Sequence, residues 1–163
     1  MPFEPNVRPM ATNIALDDHM DVPGLIDGAK HPELIPDKVA YRLYFVAVSE
    51  MPNPSEQQKL RQAAHLKATG IKDEQDRQSF VDVLTDFKVR YNALIAAYNQ
   101  AAEAADEAGT SPDLAGFIRK RDELVQSTRD KLTNSMSAES LARLDARVQI
   151  EKRNMKVSGG EVQ

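Results

Sequence analysis

The stretch FVDVLTDFKVRYNALIAAYNQAAEAADEA, residues 80–108, decides the fold. Its apolar residues recur at Phe80, Leu84, Phe87, Tyr91, Leu94, Tyr98, Ala101, Ala105 and Ala108, alternately four and three positions apart. Such spacing keeps one side of an α-helix apolar turn after turn, as in a heptad seam. Val81, Ile95 and Ala102 widen the stripe, as expected of a helix that touches more than one neighbour. Asp73 stands ready to cap the start and Gly109 to stop the end, so the pattern predicts one helix over residues 74–108. A rod of 35 residues is roughly 52 Å long at the helical rise. A compact globule of this chain length would be only about 39 Å across. The molecule is therefore expected to be elongated.

Outward from this rod, proline separates further helices. Three prolines, at 52, 54 and 112, fall at expected junctions, and the other six, at 2, 5, 9, 23, 32 and 36, crowd the first 36 residues. Because proline removes a donor and clashes with the preceding turn, helix interiors after Pro36 are left free of it. The run VAYRLYFVAV, residues 39–48, is apolar nearly all round and reads as a buried central helix over 37–51, with Arg42 snorkelling outward or paired to a carboxylate. A second helix is expected over 54–69, capped by Asn53 with Pro54 at its first position, and closed by Gly70 with Ile71 reaching Leu66.

In the far half of the seam the residues become alanines. Large side chains of a fourth helix over 112–133, namely Leu114, Phe117 and Ile118, are expected to fill the space opposite, with Gly116 as a weak interior point. Ser137 caps a fifth helix over 138–156, with Met136 and Leu141 as a hydrophobic staple. Residues 158–163 read as a frayed tail. Sustained strand alternation is missing. The expected fold is all-α, an elongated antiparallel bundle of about five helices with a non-helical N-terminal arm over 1–36. Within the arm, Val22, Leu25, Ile26, Leu34 and Ile35 suit a segment lying ordered along the bundle, turned by Gly24 and Gly28.

Composition narrows the functions. At 163 residues with 41% hydrophobic and 28% charged side chains, the chain suits a single globular core. The absence of cysteine removes disulfides, thiolate chemistry and cysteine-built zinc sites. Residues 1–37 carry a net charge of -5 and the remainder +1, so no basic face with aromatic platforms offers itself to nucleic acid. The longest apolar run is half the roughly 20 residues of a membrane span. No signal peptide opens the sequence, so a cytoplasmic location is the default, with export to the periplasm as the alternative for a trimmed mature chain.

The acidic arm gathers Asp17, Asp18, His19, Asp21 and His31, a mixed set that hard or transition cations accept, though without EF-hand or HExxH spacing. Solvation and capping account for these residues more simply, and no cofactor is expected. His65 sits near a helix end, where the dipole favours a cation. Tyr91 and Tyr98 read as core, and the run RKRDEL, residues 119–124, as a solvated face. No glutamate stands three before a histidine, and no glycine-rich phosphate loop occurs, so convergent catalytic groups are not expected. The seam Phe80, Leu84, Phe87, Tyr91, Leu94 and Tyr98 points instead to a protein partner or self-association, such as a homodimer.

PSEQQKLRQA, residues 54–63, and MSAESLARLDARV, residues 136–148, resemble the Leu-Thr-x-x-Gln segments of small exported helical stress proteins, the periplasmic chaperone and metal-sensor type, although the Leu-Thr pair is absent. That resemblance implies a dimeric α-hairpin that shields unfolded clients or responds to metal. PELIPDKVAYRLYF and VQIEKRNMKV resemble an uncharacterised bacterial helical family, which implies no activity.

Overall fold

The computed structural model describes residues 24–158. Five helices carry the fold: α1 (Asp37–Val48), α2 (Glu56–Thr69), α3 (Glu74–Ala108), α4 (Leu114–Ser135) and α5 (Ala138–Glu151). Two short strands, β1 (Leu25–Asp27) and β2 (Lys156–Ser158), pair antiparallel with Ile26 opposite Val157. The architecture is an all-α bundle with this small ladder closing one side.

α1 is the central helix. It packs against α2, α3, α4 and α5, and Val39, Ala40, Tyr41, Tyr44, Phe45 and Val48 are buried. Phe45 lies at the middle of an aromatic cluster, its ring 5.4 Å from Phe87 and 5.7 Å from Tyr41, and Phe87 stacks on Tyr91 at 5.3 Å. Val125 and Leu132 of α4 with Leu144 and Val148 of α5 complete the core. Arg42 departs from the outward course expected of it: only 2% of the residue is exposed. With four helices around α1, that position has no solvent face to reach.

Helix ends follow local chemistry, in places different from that expected. Gly70 and Gly109 adopt left-handed φ of 77° and 74°, and Asp73 and Ser137 accept from the backbone N–H of Asp76 and Ser140. α1 stops at Val48 rather than at Met51, since Ser49 is already extended. α2 begins at Glu56, capped by Ser55 and not Asn53. Ser55 Oγ accepts from Gln58 N–H at 3.2 Å and Gln58 Oε1 accepts from Ser55 N–H at 2.8 Å, a reciprocal capping box. Asn53 instead takes a left-handed φ of 59° in the preceding turn. α4 begins two residues after Pro112, because the Asp113 carboxylate accepts from Gly116 N–H at 2.9 Å.

The chain end differs most from expectation. α5 stops at Glu151 rather than 156, passes through a 3-10 turn (Lys152–Asn154) and continues as β2, in which Val157 and Ser158 are buried. Ser158 is thus part of the ladder and not of a frayed tail. Gly28 is required here, since a Cβ on it would stand 1.8 Å from the Lys152 carbonyl oxygen, and its N–H donates to the Met155 carbonyl at 2.8 Å. The described part of the arm, residues 24–36, lies on the bundle with Ile26 and Ile35 in the core. Val22 and the rest of residues 1–23 lie outside the described residues, as do residues 159–163.

Candidate functional site

The seam of α3 divides into two parts. Phe80, Leu84, Phe87 and Tyr91 are buried beneath α1 and α4. Past Tyr91 the same stripe is only partly covered: Leu94 and Tyr98 are half-buried, Ala101 and Ala108 are exposed, and Ala105 is buried again near the tip; Ala104, beside the stripe, is exposed. This distal part of α3 pairs with the first half of α4 as a hairpin, closed at its tip by Gly109 and Thr110, whose N–H groups donate to Asp106 and Ala105 carbonyls at 3.1 and 2.7 Å. Tyr98 meets Phe117 with ring centroids 4.9 Å apart, so Phe117 does fill the alanine-lined space. Leu114 does not: it stays 44% exposed, because it occupies the first turn beside the Asp113 cap and faces outward.

Between the two helices runs a shallow groove of about 150 Å³. Its walls are Leu94, Ala97, Tyr98 and Ala101 on α3, and Asp113, Gly116, Phe117 and Lys120 on α4. Both sets fall at i, i+3, i+4 and i+7, the stripe that one helix presents to another. The volume is below the roughly 300–1,000 Å³ of small-molecule sites, and the groove suits side chains from a neighbouring helix. Gly116 is shaped by the cap as well as by the groove, since a Cβ there would lie 2.3 Å from Asp113 Oδ2.

Elsewhere among the described residues polar clusters tie the elements together, and three of them centre on a buried side chain, Asp76, Tyr41 or Glu50. Asp76 of α3 accepts from Ser137 Oγ and Ser140 Oγ, both at 2.6 Å, and from Ser137 N–H at 3.3 Å. These donors hold its carboxyl below the usual carboxylate range, against a smaller opposing effect of desolvation. The negative charge also sits at the positive end of α5.

The second cluster joins α1 to α4 and α5. Tyr41 donates to Asp145 at 2.6 Å beneath the Arg129 guanidinium, 4.0 Å from its ring centroid, and Lys152 reaches Asp37 at 2.9 Å. Burial, then the bond to Asp145, pushes the Tyr41 phenol up. The Lys152 and Gln149 bonds draw Asp37 down. The third cluster pairs buried Glu50 with Arg61 of α2 at 2.9 Å. Nearby, His65 is half-buried, and desolvation lowers its pKa, so the charged form suggested by its place near a helix end is disfavoured.

Of the metal candidates, Asp17, Asp18, His19 and Asp21 lie outside the described residues. His31 is half-exposed, with Nδ1 3.4 Å from Glu33. Among the described residues no group of three or more histidines, aspartates or glutamates is arranged to hold a metal ion, and no helix is long and apolar enough to cross a membrane. The seam residues Leu94 and Tyr98 are gathered into the groove, whereas Phe80, Leu84, Phe87 and Tyr91 are core. Lys120 and Asp113, which sequence reasoning left as surface and turn, belong to the groove. Their shared spacing with Phe117 on α4 was the available signal. Comparison of the chain with protein-family models, with curated proteins and with solved structures returned no match.

Proposed function

We propose that this protein is a non-enzymatic interaction module that binds through helix packing at the open groove of the α3–α4 hairpin. The observation that carries the reading is the change along one seam, fully buried from Phe80 to Tyr91 and, Ala105 apart, half-buried or exposed from Leu94 to Ala108. An apolar stripe that continues past the point where its own bundle covers it presents surface for another helix. Alanines at 97, 101 and 104 allow a partner backbone to approach closely, while Tyr98 and Phe117 supply a rigid aromatic floor.

A photo-crosslinking side chain placed at Ala101 of the full chain tests this, with the same side chain at exposed Gln57 of α2 as the control. Crosslinks to another polypeptide are expected from position 101 and not from 57. Equal yields at both positions, or none at 101, would reject the hairpin as a binding surface.

A further inference from the structure

The groove has an aromatic floor and a different charge at each end. Asp113 and Lys120 both line it, seven residues apart on α4, so they fall within about 20° of each other round the helix and about 10 Å apart along it. Phe117 lies between them, with the Tyr98 ring against it. Lys120 stands at the end nearer the body of the bundle and Asp113 at the tip. Such a slot suits one rigid apolar side chain on the floor with a carboxylate beside it on the Lys120 side. A carboxylate on the other side would face Asp113.

Residues 1–23 hold that pair in adjacent positions: Phe3 is their one aromatic residue, and Glu4 follows it. Pro2 and Pro5 flank the pair. Proline opposes a helix and favours an extended polyproline course, which has little freedom left to lose on binding. In that course successive residues rise about 3.1 Å and point about 120° apart. Phe3 can then meet Tyr98 and Phe117 while Glu4 meets Lys120, three residues or about 4.5 Å along α4 from Phe117.

Chain length and charge agree with this placement. The twenty residues from Glu4 to Gly24 span up to about 66 Å when extended, more than the roughly 52 Å of α3. With Glu4 on the Lys120 side, the residues after it leave toward the bundle. The described chain begins there, since Gly28 lies against Lys152, Lys152 bonds Asp37, and Lys38 Nζ is 3.7 Å from Asp122 of α4. Residues 1–23 carry Arg8 against Glu4, Asp17, Asp18 and Asp21, a net charge of -3. That charge favours the Lys120 end over the tip, where Glu103, Asp106, Glu107 and Asp113 stand without a lysine or arginine between Tyr91 and Ile118.

We propose that residues 2–5 of the chain itself occupy the groove, Phe3 on the Tyr98 and Phe117 rings and Glu4 paired with Lys120, and that an outside helix must displace them. The proposal rests on the hairpin groove being a binding surface and adds how access to it is controlled. Tethering holds the segment at an effective concentration on the order of 1 mM, so a contact too weak for a free peptide is still populated.

The photo-crosslinking side chain at position 101 of the full chain tests this, with adducts in the monomer band mapped by mass spectrometry. Adducts with the chain's own residues 1–9 are expected, fewer as salt rises. Phe3→Ala should lower their yield about twofold or more and raise capture of an outside polypeptide. Glu4→Lys and Lys120→Glu should each lower it about twofold or more, and the double variant should return it to within about 1.5-fold. Lys120 is exposed, so its reversal is expected to shift the melting temperature by less than about 2 °C. No adduct with residues 1–9, or a yield indifferent to all of these changes, overturns the proposal. Adducts with another polypeptide but none with residues 1–9 keep the hairpin as a binding surface and remove only this occupant, whereas no adduct of either kind removes both.

Discussion

Replacing Phe87 by alanine should cost far more than the same change at Tyr98, although the two residues share one helical stripe. Phe87 is completely buried, with Phe45 on one side at 5.4 Å and Tyr91 stacked on the other at 5.3 Å. Removing it deletes a ring's worth of apolar contact and leaves a cavity that the two flanking rings cannot collapse into, a loss of about 3–5 kcal/mol. For a chain of this size, each kcal/mol lowers the melting temperature by about 2–4 °C, so a fall of roughly 6–20 °C is expected. Tyr98 is half-buried and has one described aromatic contact, with Phe117 at 4.9 Å. Its truncation is expected to cost about 1–2 kcal/mol, or roughly 2–8 °C. Thermal unfolding followed by circular dichroism at 222 nm, with urea titrations to check that the slope is unchanged, measures both. Equal losses at the two positions would refute the division of α3 into a covered base and an open hairpin. A loss below about 3 °C at Phe87 would refute its place at the centre of the core.

The strand ladder and the buried carboxylate give two further tests. Gly28→Ala places a Cβ on the Lys152 carbonyl oxygen, so it should lower the urea midpoint by an amount corresponding to about 1–3 kcal/mol and speed amide exchange at the Gly28 N–H; unchanged exchange there would argue against the β1–β2 pairing. Asp76→Asn turns an amide N–H toward the backbone N–H of Ser137, and should lower stability near neutral pH. The folded pKa of Asp76 lies below its ordinary 3.8, so its contribution is present above that value and is lost as pH falls through the lower folded one. The gap in urea midpoint between wild type and variant should therefore narrow as pH falls below 3.8. A gap that is independent of pH would show that the charge is not what the serine hydroxyls hold.

Much of the helical framework is legible in short windows of sequence. Gly70 and Gly109 stop helices because glycine enters the left-handed region without a Cβ clash, and Asp73 and Ser137 start them because their side chains accept the orphan N–H groups of the first turn. The start of α2 lies two residues beyond the expected one, because Asn53 followed by Pro54 has the form of a cap and first helical residue, while Ser55 can cap as well. Only the reciprocal pairing of Ser55 with Gln58 decides between them. Similarly, Pro112 marks the start of α4 less well than Asp113, whose carboxylate bonds the helix directly.

What could not be read locally is whatever depends on a remote segment. Leu25–Asp27 and Lys156–Ser158 are too short to show strand alternation, and they become strands only because the fold sets them side by side. Asp76 reads as a helix-start residue until Ser137 and Ser140 are brought to it across the bundle. The groove is the same kind of case. Sequence alone determined that Phe80 through Ala108 share one face, since that follows from 3.6 residues per turn. Tertiary structure alone decided that this face is fully covered as far as Tyr91 and that beyond it α4 covers Tyr98 only in part and leaves Ala101 and Ala108 exposed. Periodicity reports the direction in which side chains project from a helix, whereas burial is fixed by how far the neighbouring helix extends.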